Sequence, residues 1–205
     1  MPHRLLPALF AVLLLAVTAP AVRAADILVT SLADNEFLDG QVTLREAVRA
    51  AAQDVSVDGS AAGGADDRIG FAAGLTGGTI VLTGGMFQLT GAGILAIDAQ
   101  ALGTDITLDA GGASRHFYLD DTTLELRGLT LTGGVMAGDG GAVYATATGA
   151  LTLTDCTVAG NQASGSGGGL WLTGPVTLTD TVIRDNTCGS DGGGLRFAGA
   201  LDVAF

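Results

Sequence analysis

Side chains able to do chemistry recur in this sequence at one interval. Asp155 and Asp180 stand 25 residues apart, as do Asn161 and Asn186, and Trp171 and Arg196. Two carboxylates at matching points of successive repeats can ligate calcium or share the work of a general acid and base. More often such a pair flanks turns and faces solvent. A tryptophan followed one repeat later by an arginine can offer a sugar ring an aromatic face beside a fixed donor. A repeated asparagine at a bend does another job: stacked amides bond one another and the backbone groups that the bend leaves unpaired. Asp155 and Asp180 are therefore candidate metal residues, Trp171 and Arg196 candidate binding residues, and Asn161 and Asn186 a structural ladder.

No catalytic set assembles from the remaining residues. A polysaccharide lyase needs a cationic base beside calcium, and a hydrolase needs closely placed carboxylates. Lysine is absent, and Arg115, Arg127, Arg184 and Arg196 share no recognisable outward phase with an acidic cluster. His116 is the one histidine after residue 24, placed at a coil edge without a partner. The glycine runs at Gly91 and Gly165 neither precede a helical pattern nor carry lysine, so they are not phosphate loops. Asp139 and Asp191 precede glycine pairs but lack the spacing of calcium-binding nonapeptides. No catalytic residue is assigned and no cofactor is required; calcium is the one metal the pattern admits.

The interval belongs to a repeat. LELRGLTLTGG from Leu124, LTLTDCTVAGN from Leu151 and VTLTDTVIRDN from Val176 are three copies, and LDVAF from Leu201 opens a fourth. Each copy runs through glycines into one more short apolar strand: DGGAVY at Asp139, GGGLWL at Gly167, GGGLRF at Gly192. Units of short strands and glycine turns cannot bury their own apolar face, whereas stacked neighbours can. The fold class is all-β: a right-handed parallel β-helix of about five rungs of roughly 25 residues, with an N-terminal capping α-helix.

Alternation separates the faces. Leu151 and Leu153 point inward with Val176 and Leu178; after a bend come Cys156 and Val158 with Thr181 and Ile183, then Leu170 and Leu172 with Leu195 and Phe197. Three strands per copy make a three-sided coil. With the second strand as ruler, Ile80, Ile106, Leu129, Cys156 and Thr181 share one phase. Trp171 points outward between Val143 and Arg196, predicting a cation–π contact with Arg196. Cys156 reads as a small core residue, and Cys188 falls at another phase, so no disulfide joins them.

Arg4, the apolar run Leu5 to Val17 and Val22-Arg23-Ala24 form an export signal over residues 1–24. Thirteen apolar residues are too few to span a bilayer, which needs about 20. The remainder carries 21 acidic residues against seven arginines, a net charge of about −14. That surface repels phosphate backbones and excludes nucleic acid as a partner. The chain stops five residues into a coil, which predicts that it continues beyond Phe205.

Residues 25–78 form a different unit in front of the coils at 79–205. Thr43-Leu44-Arg45-Glu46 is a capping box, and Leu44, Ala47, Val48 and Ala51 make one apolar stripe. A solenoid needs its first rung covered, and this helix is the natural lid. The sheet is expected to start at Arg68-Ile69-Gly70-Phe71, after a flexible loop.

The stretch ADILVTSLADNEFLDGQVTLREAVRAA, followed by DDRIGF, resembles the CSLREA-type domain that precedes right-handed parallel β-helices in bacterial exported proteins. VTLREA matches its motif with Val42 and Thr43 in place of Cys and Ser. The repeats are similar to polymorphic outer-membrane-protein repeats, with GGAV at Gly140, GGLW at Gly168 and GGLR at Gly193 as one element and VAGN at Val158 and IRDN at Ile183 as the other. The resemblance implies a secreted or cell-surface protein, extracellular or on the outer membrane, with a structural or adhesin-like role and glycans or other surface proteins as partners. The alternative is a carbohydrate-active enzyme on a pectin-lyase-like scaffold. A third reading is a calcium-stabilised surface-layer component.

Overall fold

The structure is a computed structural model that describes residues 25–91, 93–198 and 201–204, the last four as backbone. The proposed export signal at 1–24 lies outside the described residues. Before the coils come β1 (Asp26–Val29) and α1 (Leu44–Gln53). Five coils follow: β2 (Asp66–Phe71), β3 (Thr79–Val81) and β4 (Phe87–Thr90); β5 (Ile94–Asp98), β6 (Ile106–Asp109) and β7 (Phe117–Asp120); β8 (Thr123–Arg127), β9 (Leu129–Thr132), β10 (Val135–Met136) and β11 (Val143–Ala145); β12 (Ala150–Thr154), β13 (Thr157–Ala159), β14 (Gln162–Ala163) and β15 (Leu170–Leu172); β16 (Val176–Thr179), β17 (Val182–Arg184), β18 (Thr187–Cys188) and β19 (Leu195–Phe197). β20 (Leu201–Ala204) opens the next.

All pairing is parallel and joins each strand to the same strand one coil away, which makes the chain a right-handed parallel β-helix. The first sheet runs β1-β2-β5-β8-β12-β16-β20, the second β3-β6-β9-β13-β17 and the third β4-β7-β11-β15-β19. Inward residues stack in columns: Ile97, Leu126, Leu153 and Leu178 in the first sheet, Leu108, Leu131 and Val158 in the second, Phe117, Val143 and Leu170 in the third. All ten are buried, and alternation alone places them there.

Three expectations need correction. The coil has a fourth, short sheet, β10-β14-β18, because the chain runs extended for two residues after the asparagine bend, too briefly for alternation to register. Ile80 pairs with Leu108, not Ile106. Ile106 and Leu108 point the same way, so either register buries the same face, and residue counting cannot choose between them. The first sheet starts at Asp26, not Arg68, since β1 pairs with β2 from Asp26↔Arg68 to Val29↔Phe71.

The helix forms where its cap is satisfied. Thr43 Oγ1 accepts the Glu46 N–H at 3.2 Å and Glu46 Oε2 accepts the Thr43 N–H at 2.9 Å. Leu44, Ala47, Val48, Ala50 and Ala51 are buried, and the helix packs on β1 and β2. Arg45 extends this cover to the third sheet. Its Nε donates to Asp34 Oδ1 and its Nη2 to the Gly85 carbonyl, each at 2.8 Å, with its guanidinium carbon 4.7 Å from the Phe87 ring centre.

Candidate functional site

The third sheet builds its outward face from one residue per coil. FQL, FYL, VYA, LWL and LRF each place two apolar residues inward and the middle one outward, and the register aligns Gln88, Tyr118, Tyr144, Trp171 and Arg196. Tyr118 and Tyr144 have ring centres 5.5 Å apart and planes within 3°. Tyr144 and Trp171 are 4.4 Å apart and within 8°. Parallel rings this close cannot lie side by side, so they stack face to face along the helix axis. The faces within the stack therefore cover one another, and the outer faces of the end rings are turned toward Gln88 and Arg196. The chain has two tyrosines and one tryptophan, and all three stand here.

Trp171 pairs with Arg196, but its other neighbour is Tyr144, not Val143, which points inward beside Leu170. The predicted Trp171–Arg196 cation–π contact is replaced. Arg196 turns its Nη1 to the Phe197 carbonyl at 2.7 Å, and the cation beside the column is Arg115, whose guanidinium carbon is 4.9 Å from the Tyr144 ring centre. Arg115 enters β7 from a corner loop and is 6% exposed. Burial is the main influence on it, drawing its pKa below that of a free guanidinium, while the Tyr144 phenol is raised chiefly by burial. Sequence reasoning missed Tyr118, Tyr144 and Arg115. The repeated apolar-X-apolar triplet after each glycine corner carried the signal for the tyrosines.

Asp155 and Asp180 occupy the corner between the first and second sheets, with φ of 50° and 47° where the preceding coil has Gly128 at 63°. Aspartate is among the few residues that tolerate this left-handed conformation, so the turn itself accounts for both. Both are exposed, and the Asp155 carboxylate bonds the Gln100 side-chain amide. Among the described residues no three His, Cys, Asp or Glu side chains come together as a metal site.

Asn161 and Asn186 stack. Asn161 Nδ2 donates to Asn186 Oδ1 at 3.0 Å, Asn186 Nδ2 to the Val158 carbonyl at 2.8 Å, and Asn161 Oδ1 accepts the Gly134 N–H at 2.8 Å. His116 is fully buried inside the coil, not at its edge, with Nε2 2.9 Å from the Leu108 carbonyl. Cys156 is a free buried thiol, raised to about 11 chiefly by burial; Cys188 is free on β18.

A groove of about 630 Å³ separates α1 from β4 and β5 and reaches the column at Gln88. Its arginines are already paired, Arg45 with Asp34 at 2.8 Å and Arg49 with Glu36 at 3.2 Å. No helix among the described residues is long and apolar enough to cross a membrane. No protein-family model matches the sequence, and neither a curated protein nor a solved structure is found similar to it.

Proposed function

We propose that this chain is an exported, cell-surface β-helix with an adhesin-like role, binding glycans along the outward face of its third sheet. The gathering of every Tyr and Trp of the chain into one outward column carries the reading. Aromatic side chains with a polar tip suit a wet surface that must hold an amphipathic ligand. The Trp171 face directed toward Arg196 is the natural position for a pyranose, and the ring edges and phenol groups extend the contact along the axis. A highly acidic surface keeps a glycine-rich β protein soluble outside the cell. The resemblance of VTLREA and the glycine repeats to exported β-helices points the same way. The enzymatic alternative would draw on Asp155 and Asp180, for which the left-handed turn already supplies a reason.

The test is a panel of neutral and acidic oligosaccharides, titrated by calorimetry and by Trp171 emission. Binding should protect Trp171 from acrylamide and weaken in Trp171→Ala and Tyr144→Ala. Binding that ignores both substitutions would remove the column from the function. Release of unsaturated or reducing ends, with or without calcium, would replace the binding role with the enzymatic one.

A further inference from the structure

Arg115 differs from every other arginine of the described chain. Arg45, Arg49, Arg68, Arg127 and Arg184 are each ion-paired, and Arg196 bonds the Phe197 carbonyl. Arg115 has no ion pair and no hydrogen bond from its guanidinium among the described residues, although it is 6% exposed. Its Nε and Nη1 are sealed from solvent without an acceptor. Nη2 is not one of the sealed atoms, and it too has no hydrogen bond among the described residues. The Tyr144 ring, 4.9 Å from the guanidinium carbon, compensates the charge only in part. Asp139, in the corner of the following coil, is near enough for its charge to favour the guanidinium, but it forms no ion pair with Arg115, and its Oδ1 accepts the Ser166 N–H at 2.6 Å. Leaving a buried cation unbonded is costly, and although the chain has 21 acidic side chains, none of the described ones forms an ion pair with it.

We propose that Arg115 is the oxyanion-recognising residue of the glycan site. Nη2 donates to a carboxylate or sulfate-ester oxygen of an acidic saccharide unit lying across the ring edges beside Tyr144, further along the same glycan than the unit on the Trp171 face. The inference rests on the glycan-binding reading and narrows it to anionic sugars. It also assigns a purpose to a buried guanidinium left without a hydrogen bond in a strongly acidic protein: the general field repels anions, so only a ligand that also fits the column reaches it.

The full chain is titrated calorimetrically with neutral galactan, galacturonan and sulfated galactan oligosaccharides of equal length, in wild type, Arg115→Gln and Arg115→Lys. Circular dichroism and urea unfolding establish that each variant is folded. Either or both acidic series should bind more tightly than the neutral one, and the tighter of the two identifies carboxylate or sulfate as the partner. Arg115→Gln should weaken acidic binding by roughly ten- to a hundredfold and neutral binding by much less, as expected for loss of a charge-assisted bond. Arg115→Lys, which keeps the charge, should fall between and serves as the test should the Gln variant not fold. Equal binding of neutral and acidic sugars, or acidic binding indifferent to Arg115 but lost in Trp171→Ala, would overturn the assignment while preserving the glycan site. Failure of every saccharide to bind would overturn both.

Discussion

Tyr144 and Trp171, one coil apart, have ring centres 4.4 Å apart and planes inclined by 8°. Their contact is a property of the register: Val143↔Leu170 and Ala145↔Leu172 fix the inward pairs, and the outward rings then have no choice but to stack. Such a pair contributes about 0.5–1.5 kcal/mol beyond buried area. A double-mutant cycle on Tyr144→Ala and Trp171→Ala, read by urea unfolding, should return a coupling of about that size. Tyr144→Ala should also shift Trp171 emission to the red by uncovering one indole face. A coupling near zero would mean that the rings are neighbours without holding each other.

Asn161 and Asn186 differ in depth although they occupy the same bend. Asn161 is 1% exposed and serves the Gly134 N–H and the Leu131 and Ala159 carbonyls, whereas Asn186 is half-buried. Each buried group left unpaired costs roughly 1–3 kcal/mol, and water can replace a lost partner only where it has access. Asn161→Ala should therefore lower the denaturant midpoint clearly more than Asn186→Ala, with m unchanged. Equal losses would show that the two amides act as one unit along the ladder.

The solenoid was legible because its signal repeats. LTLT, VTLT and their glycine corners state the inward phase several times, and every copy must agree for the columns to close. Features stated only once were not legible. β1 pairs with β2 across a helix and a loop, and nothing local in DILV says so. Ile80 could choose Ile106 or Leu108 because strand alternation has period two. The ion pairs Arg68–Asp98 and Arg45–Asp34 join residues whose proximity depends on the coil's exact course. At the site, alternation placed Trp171 and Arg196 on the outer face, but a slip of one residue in aligning GGAVY concealed Tyr144. The position of Arg115 in a corner loop outside any strand gave it no phase to read.

The glycine pair in each copy has a steric cause. At Gly168 an added Cβ would collide with the backbone oxygens of Thr187 and Gly193, because the next coil passes directly over it. Gly74, in contrast, has open space around the same position. Gly168→Ala should cost about 1–3 kcal/mol as an overpacked site, and Gly74→Ala should stay within about 0.5 kcal/mol. Thermal and urea unfolding of both variants measure the difference. A neutral Gly168→Ala would imply that the coils can separate locally at no cost.

His116 makes stability depend on pH in a window separate from the carboxylates. Its ring is fully buried, and since the Leu108 carbonyl can only accept, Nε2 must carry the proton of the 2.9 Å bond. Nδ1 is buried without a partner. Adding a second proton would place a charge in the core, and this burial pulls the pKa from 6.5 to about 4. The unfolded chain takes up that proton near its ordinary pKa while the folded chain stays neutral, so between these values the unfolded state binds more protons. Stability therefore falls as pH drops from about 6.5 toward 4, by at most about 1.4 kcal/mol per pH unit and about 3 kcal/mol in all. Ordinary carboxylates titrate mainly below about pH 5, which leaves pH 5 to 6.5 as the diagnostic range. His116→Gln, which retains an amide donor for Leu108 but has no proton to gain, should flatten the profile there. Urea midpoints at half-unit steps decide it: the same slope in wild type and His116→Gln would show that the ring is not the group responsible.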